Sequence, residues 1–168
     1  MANFFGKYRG TVVNNVDPMQ MGRIAVQVPD VSNVQTSTWA MPSAPFAGAQ
    51  SGSVAVPPVG ASVWVEFEQG DSDYPIWSGC FWGSSSEVPP VALQAPPGVQ
   101  SIVLQSVGGS YFMISDVPGA SGGILLRSSS GAMIAINDTG ITIDNGMGAT
   151  ITLTGPSVTV NDGALVVT

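Results

Sequence analysis

The chain has 168 residues, 44% of them hydrophobic, with 21 Gly, 13 Pro, no His and a single Cys. Four basic side chains against eleven acidic ones give a net charge of −7, too few cations to neutralise phosphates or to dock on an anionic membrane. Without His the usual Ser and Cys hydrolase triads are unavailable, and no apolar run approaches the roughly 18 residues that span a bilayer.

The opening MANFFGKYRG has no apolar stretch ahead of its charges, so no secretory signal is expected. The sequence thus predicts a protein made and folded in the cytoplasm. Residues 1 to about 6 read as a loose arm. Lys7 to Val13 is β-rich, Asn14 to Pro18 is turn chemistry, and Arg23 to Val28 alternates Ile24, Val26 and Val28 inward against Arg23, Ala25 and Gln27. The two runs form a hairpin with a long connection. Val31 to Gly60 reads as loop, with Trp39 to Pro42 as a short apolar anchor. Gly60 to Gly83 is a second hairpin. Val63, Val65 and Phe67 face inward, Gly70 to Asp73 makes the turn, and Ile76 to Trp82 is apolar on both faces. Short strands without a helical period fit a small closed β-barrel.

Ser84 to Gln100 carries four prolines in two pairs and reads as an extended spacer. Beyond it the composition changes. From Val88 to Thr168 only Asp116, Arg127, Asp138, Asp144 and Asp162 are charged. Apolar pairs recur: Ile102/Leu104, Phe112/Ile114, Ile124/Leu126, Ile134/Ile136, Ile141/Ile143, Ile151/Leu153, Val158/Val160 and Leu165/Val167. Gly-rich turns such as Asn145-Gly146 separate them, giving a quasi-repeat of one short strand and one turn. Such strands have unpaired edges, and three copies winding together would pair those edges and share an axial core. The domains expected are a barrel at 1–83, a linker at 84–100 and a β-helix at 101–168. The core of the first is Ile24, Val26, Val28, Val63, Val65 and Phe67. The axial core of the last is Ile124, Leu126, Ile134, Ile136, Ile141, Ile143, Ile151, Leu153, Val158, Val160, Leu165 and Val167.

Candidate chemistry is thin. Glu66, Glu68, Asp71 and Asp73 cluster, but a glycosidase needs two carboxylates facing across a cleft, and Asp71-Ser72-Asp73 lacks the remaining ligands of a calcium loop. Cys80 reads as a small buried hydrophobe. Trp39, Trp64, Trp77, Trp82 and Tyr74 could make a sugar platform, against the plainer reading as packing. No catalytic residue, cofactor or metal is expected, and an envelope-degrading enzyme is disfavoured.

The wording GKYRGTVVNNVDPMQMGRIAVQVPDV, with VPPVGASVWVEFEQGDSDYPIWSGCFWG, resembles the N-terminal OB-fold domain of phage baseplate assembly protein V. The same module occurs in central-spike proteins of contractile injection systems and in type VI valine-glycine repeat spikes. The match covers roughly residues 5 to 83. The resemblance implies an all-β protein, an OB barrel followed by an intertwined trimeric β-helix, acting as a homotrimeric puncturing spike rather than an enzyme. It implies baseplate hub or tube proteins as partners, barrel loops at those contacts, transient contact with a target envelope, and assembly into a phage tail or injection particle. A separate tip-capping protein on Leu165, Val166, Val167 and Thr168 is also expected. The gap at 84–100 is too short for the lysozyme domain that some relatives insert. The alternative from another class is a carbohydrate-binding adhesin or fibre.

Overall fold

The computed structural model describes residues 3–32 and 35–167, without the side chain of Val166. The protein forms two compact units that divide between Ser85 and Ser86. No helix of the described residues is long and apolar enough to cross a membrane.

The first unit is a closed barrel of five strands in the order β1-β2-β3-β7-β6. They are β1 (Tyr8–Asn14), β2 (Ile24–Gln27), β3 (Thr36–Pro42), β6 (Ser62–Phe67) and β7 (Pro75–Phe81). A single helical turn, α1 (Pro29–Ser32), follows β2, and a two-rung hairpin of β4 (Ala47–Gly48) and β5 (Ser51–Gly52) precedes β6. All barrel pairs are antiparallel except β3 with β7, where Met41 and Pro42 lie beside Ile76 and Trp77. Strand β1 pairs with both β2 and β6, which closes the barrel. At Gly10 a Cβ would stand 3.0 Å from Val65 Cγ2 and 3.3 Å from the Gln27 carbonyl oxygen, so the crossing admits only glycine without movement.

Val12, Ile24, Val26, Val28, Ala40, Val63, Val65 and Phe67 fill the interior. Several local readings change. The segment around Trp39 is a barrel strand, not a loop anchor. Its alternation is masked because its one fully buried residue, Ala40, is small and the strand opens with Thr36, Ser37 and Thr38. Ala25, expected outward, is buried in register with Trp39. The N-terminal arm is docked. The Phe4 N–H donates to the Gly70 carbonyl at 2.8 Å, and its ring meets Tyr8 and Phe67 at 6.1 and 6.0 Å.

The second unit is a single antiparallel meander of eight strands, each paired with its sequence neighbours. These are β8 (Ser101–Gln105), β9 (Tyr111–Ser115), β10 (Gly123–Arg127), β11 (Met133–Asn137), β12 (Gly140–Asp144), β13 (Thr150–Thr154), β14 (Ser157–Val160) and β15 (Leu165–Val167). The proline-rich stretch ahead of β8 is not extended. It folds into short 3-10 turns at Ser85–Glu87 and Pro90–Leu93, with Val91 buried.

Candidate assembly surface

Cross-strand register decides what the apolar pairs of the second unit build. Ile102 lies opposite Ile114, Ile114 opposite Ile124, Ile124 opposite Ile136 and Ile136 opposite Ile141. The column runs on through Leu153, Val158 and Val167. A second column, two residues away along each strand, holds Leu104, Phe112, Leu126, Ile134, Ile143, Ile151, Val160 and Leu165. Directly opposed residues share a face, and residues two apart share it again. All sixteen side chains therefore stand on one face of one sheet. At about 4.8 Å per strand the stripe is about 34 Å long.

Within one protomer this face is poorly covered. Ile124 is 40% exposed, Ile143 43%, Leu165 58% and Val167 57%. None of the charged residues of 101–168 falls in either column. The opposite face carries Val103, Met113, Leu125 and Ala135, then Thr142, Thr152 and Thr159, with Met113 and Ser115 buried. An apolar stripe this long marks a contact surface. Sequence reasoning puts the need for further copies on unpaired strand edges. Among the described residues the strands of one protomer pair with one another, β8 and β15 lie at the edges of the sheet, and the exposed apolar side chains stand on its face. Of the residues expected to take a tip protein, Leu165 and Val167 lie on edge strand β15. Thr168 lies outside the described residues, as does the side chain of Val166.

Among its described residues the barrel holds the acidic side chains Glu66 and Asp71 in local contacts. Lys7 Nζ sits 3.0 Å from Glu66 Oε1 and donates to Ser78 Oγ at 2.7 Å. The Lys7 hydrogen bond holds the Glu66 carboxyl below its usual range, the opposite of what a general acid needs. Glu68 opens the 3-10 turn Glu68–Gly70, beyond the end of β6, and Asp71 Oδ1 accepts the Asp73 N–H at 3.0 Å to shape the turn. No group of three metal-ligating side chains is found among the described residues.

The aromatic residues are dispersed. Trp39 lies beneath the Arg23 guanidinium at 5.7 Å, and Trp77 Nε1 donates to the Gly22 carbonyl at 3.1 Å. Trp64 stacks on Phe81 at 4.7 Å, with the Arg9 guanidinium over both rings. Trp82 and Tyr74 are exposed. Cys80 is exposed rather than buried. A bulge places Ser78 and Gly79 opposite Trp64, which breaks the alternation of β7 ahead of Cys80. Desolvation raises the Cys80 thiol pKa, away from the reactive thiolate.

Two connections frame one rim of the barrel. Asp17 anchors the β1–β2 loop. Its carboxylate takes a forked hydrogen bond from Arg23, with Oδ1 2.7 Å from Nη2, and accepts backbone N–H groups of Met19, Met21 and Arg23. These contacts, Arg23 foremost, hold its carboxyl well below the usual range. Val16, Met19 and Met21 are left exposed. The 43–60 connection is tied in by Asn15 Nδ2 donating to the Pro57 carbonyl at 3.0 Å. Between Pro42–Pro45, Ser53–Val56 and Trp77 lies an uncharged cleft of about 290 Å³.

Comparison with known proteins matches both units. Residues 8–82 fit a family described as the type VI secretion system/phage-baseplate injector OB domain, and residues 101–166 fit the phage baseplate V C-terminal trimerisation domain. Among curated proteins, the type VI secretion system spike protein VgrG5 of Pseudomonas aeruginosa is 36% identical over 74 residues. The spike protein VgrG3 of Vibrio cholerae is 38% identical over 72, and the actin cross-linking toxin VgrG1 of Vibrio cholerae is 37% identical over 72. These matches take in 40 to 42% of this sequence but only 7 to 9% of the length of those proteins. Together the two matched domains cover most of the sequence, and the chain belongs to the phage baseplate V family of baseplate and injector spike-type proteins.

Proposed function

We propose that the protein is the homotrimeric central spike of a contractile injection particle, a phage tail or a phage-like device, and that its work is mechanical rather than enzymatic. The observation that carries this is the two-column apolar face, uncharged along its length and uncovered in one protomer. Three copies with these faces inward bury all three stripes around one axis. The twelve residues from Ile124 to Val167 named above, with Ile102, Leu104, Phe112 and Ile114, then form the axial core. The other face, rich in Thr, Ser and Gly, turns outward.

A sheet whose ladder is complete in each protomer and whose core is shared by three is stiff along its stacking direction, as a needle driven through an envelope must be. The barrel rim around Val16, Met19, Met21 and the 290 Å³ cleft is the surface offered to hub or tube proteins. The end of the stripe at Leu165 and Val167, on edge strand β15, is the seat of a separate capping protein. Assembly into the particle is the setting of this work, with no nucleic acid or cofactor taking part.

The test is the mass of the full-length protein in solution by light scattering. A particle of three times 17.2 kDa supports the reading. A monodisperse folded monomer overturns it and moves a monomeric adhesin to first place.

A further inference from the structure

We propose that Asn145 is a self-modification site, at which the β12–β13 turn converts its own asparagine to aspartate and isoaspartate. Of the seven asparagines in the sequence, Asn145 alone precedes glycine, so no Cβ obstructs closure of a five-membered ring onto the next backbone nitrogen. The structure adds a base and an oxyanion site. Asp144 Oδ1 accepts the Gly146 N–H at 2.6 Å, so a carboxylate already holds the proton that the attacking nitrogen must lose. Asn145 Oδ1 accepts the N–H groups of Met147 at 2.8 Å and Ala149 at 3.0 Å, two donors aimed at the oxygen on which negative charge develops. Asn145, Gly146 and Met147 are exposed, so water reaches the site and ammonia leaves it.

In the reaction the Gly146 nitrogen bonds to Asn145 Cγ, and its proton passes to the Asp144 carboxylate. The Asn145 Cγ–Nδ2 bond then breaks, and Nδ2 takes up that proton and departs as ammonia. The succinimide left behind adds water at either carbonyl and opens to aspartate or isoaspartate, with no oxidant or reductant needed. The product carries one new negative charge per protomer. The isoaspartyl form also lengthens the backbone in a crowded turn, where an atom added on Gly146 would stand 2.8 Å from the Ala132 nitrogen.

The experiment incubates the full-length folded protein in mildly alkaline buffer, follows ammonia release, maps amide-to-acid conversion by peptide mass, and detects isoaspartate by enzymatic methylation. The expected result is conversion at Asn145 ahead of the other six asparagines and faster than in the same protein held unfolded in urea. Asp144→Asn slows it about tenfold, a modest share of the 10²–10⁴ that evolved general bases supply. Conversion slower in the folded than in the unfolded protein overturns the proposal, as does a folded Asp144→Asn variant that reacts at the wild-type rate. If Asp144→Asn does not fold, the folded-against-unfolded comparison of the wild type decides alone.

Discussion

Replacing Ile143 by Asp places a carboxylate in the middle of the apolar stripe. Ile143 is 43% exposed in one protomer. Complete burial of an isoleucine is worth ~1.5–3 kcal/mol, so covering the remainder contributes about 1 kcal/mol per protomer and about 3 kcal/mol per trimer. That alone is about a hundredfold in the association constant. The carboxylate adds several kcal/mol of desolvation for each of three like-charged groups brought to one level of the axis. The variant is therefore expected to run as a 17.2 kDa species at concentrations where the wild type is trimeric, read by light scattering. Thr142→Asp, one residue earlier on the opposite face of the same strand, should leave the trimer intact. Dissociation by both substitutions to the same extent, or by neither, refutes the assignment of this face to the interface.

Three further outcomes follow from the geometry. Because the Asp17 carboxyl is depressed in the folded barrel, its stabilising effect is present above the unfolded value of about 3.9 and is lost as pH falls below it. Thermal unfolding of wild type should therefore fall off more steeply with acid than that of Asp17→Asn, which starts lower at neutral pH. Gly140→Ala sets a Cβ 2.0 Å from the Leu153 carbonyl oxygen at a φ of +141° and should destabilise the second unit by at least about 1–3 kcal/mol in denaturant titration. Ile24→Ala empties a fully buried site at the barrel centre and should lower barrel stability by about 2–5 kcal/mol without changing the oligomeric state.

How far the sequence reached depends on which physical pattern each segment obeys. Strands that bury one face of large side chains announce themselves by period two, which is why the eight apolar pairs and the Ile24 and Val63 runs were legible. What the alternation cannot express is where the ladder hydrogen bonds go. The same pairs serve an intertwined or a self-paired sheet, and only the turn geometry settles which. β3 was illegible because its one fully buried residue, Ala40, is small, and Thr36, Ser37 and Thr38, which open the strand, carry no apolar alternation. Phe4 belongs to no periodic run, so its docking on Phe67 and Gly70 leaves no local signal. The bulge at Ser78 and Gly79 inserts one residue and exposes Cys80, and an insertion of one is invisible in a stretch already apolar at every position. In the proline-rich segment, composition favours extension, but the 3-10 turn that buries Val91 gains more from contact than extension offers.

The meander has a consequence for how such proteins change through descent. Each of β8 to β15 pairs only with its neighbours in sequence, so inserting or deleting one hairpin breaks the ladder at two junctions. Two added strands lengthen the stack by about 9.6 Å, return the backbone to its original direction, and keep both isoleucine-rich columns in phase. A five-residue strand and a turn of two to seven residues are thus a unit of length. For the spike proposed above, copying hairpins would adjust its reach across envelopes of different thickness, with the cross-section and the barrel left as they were.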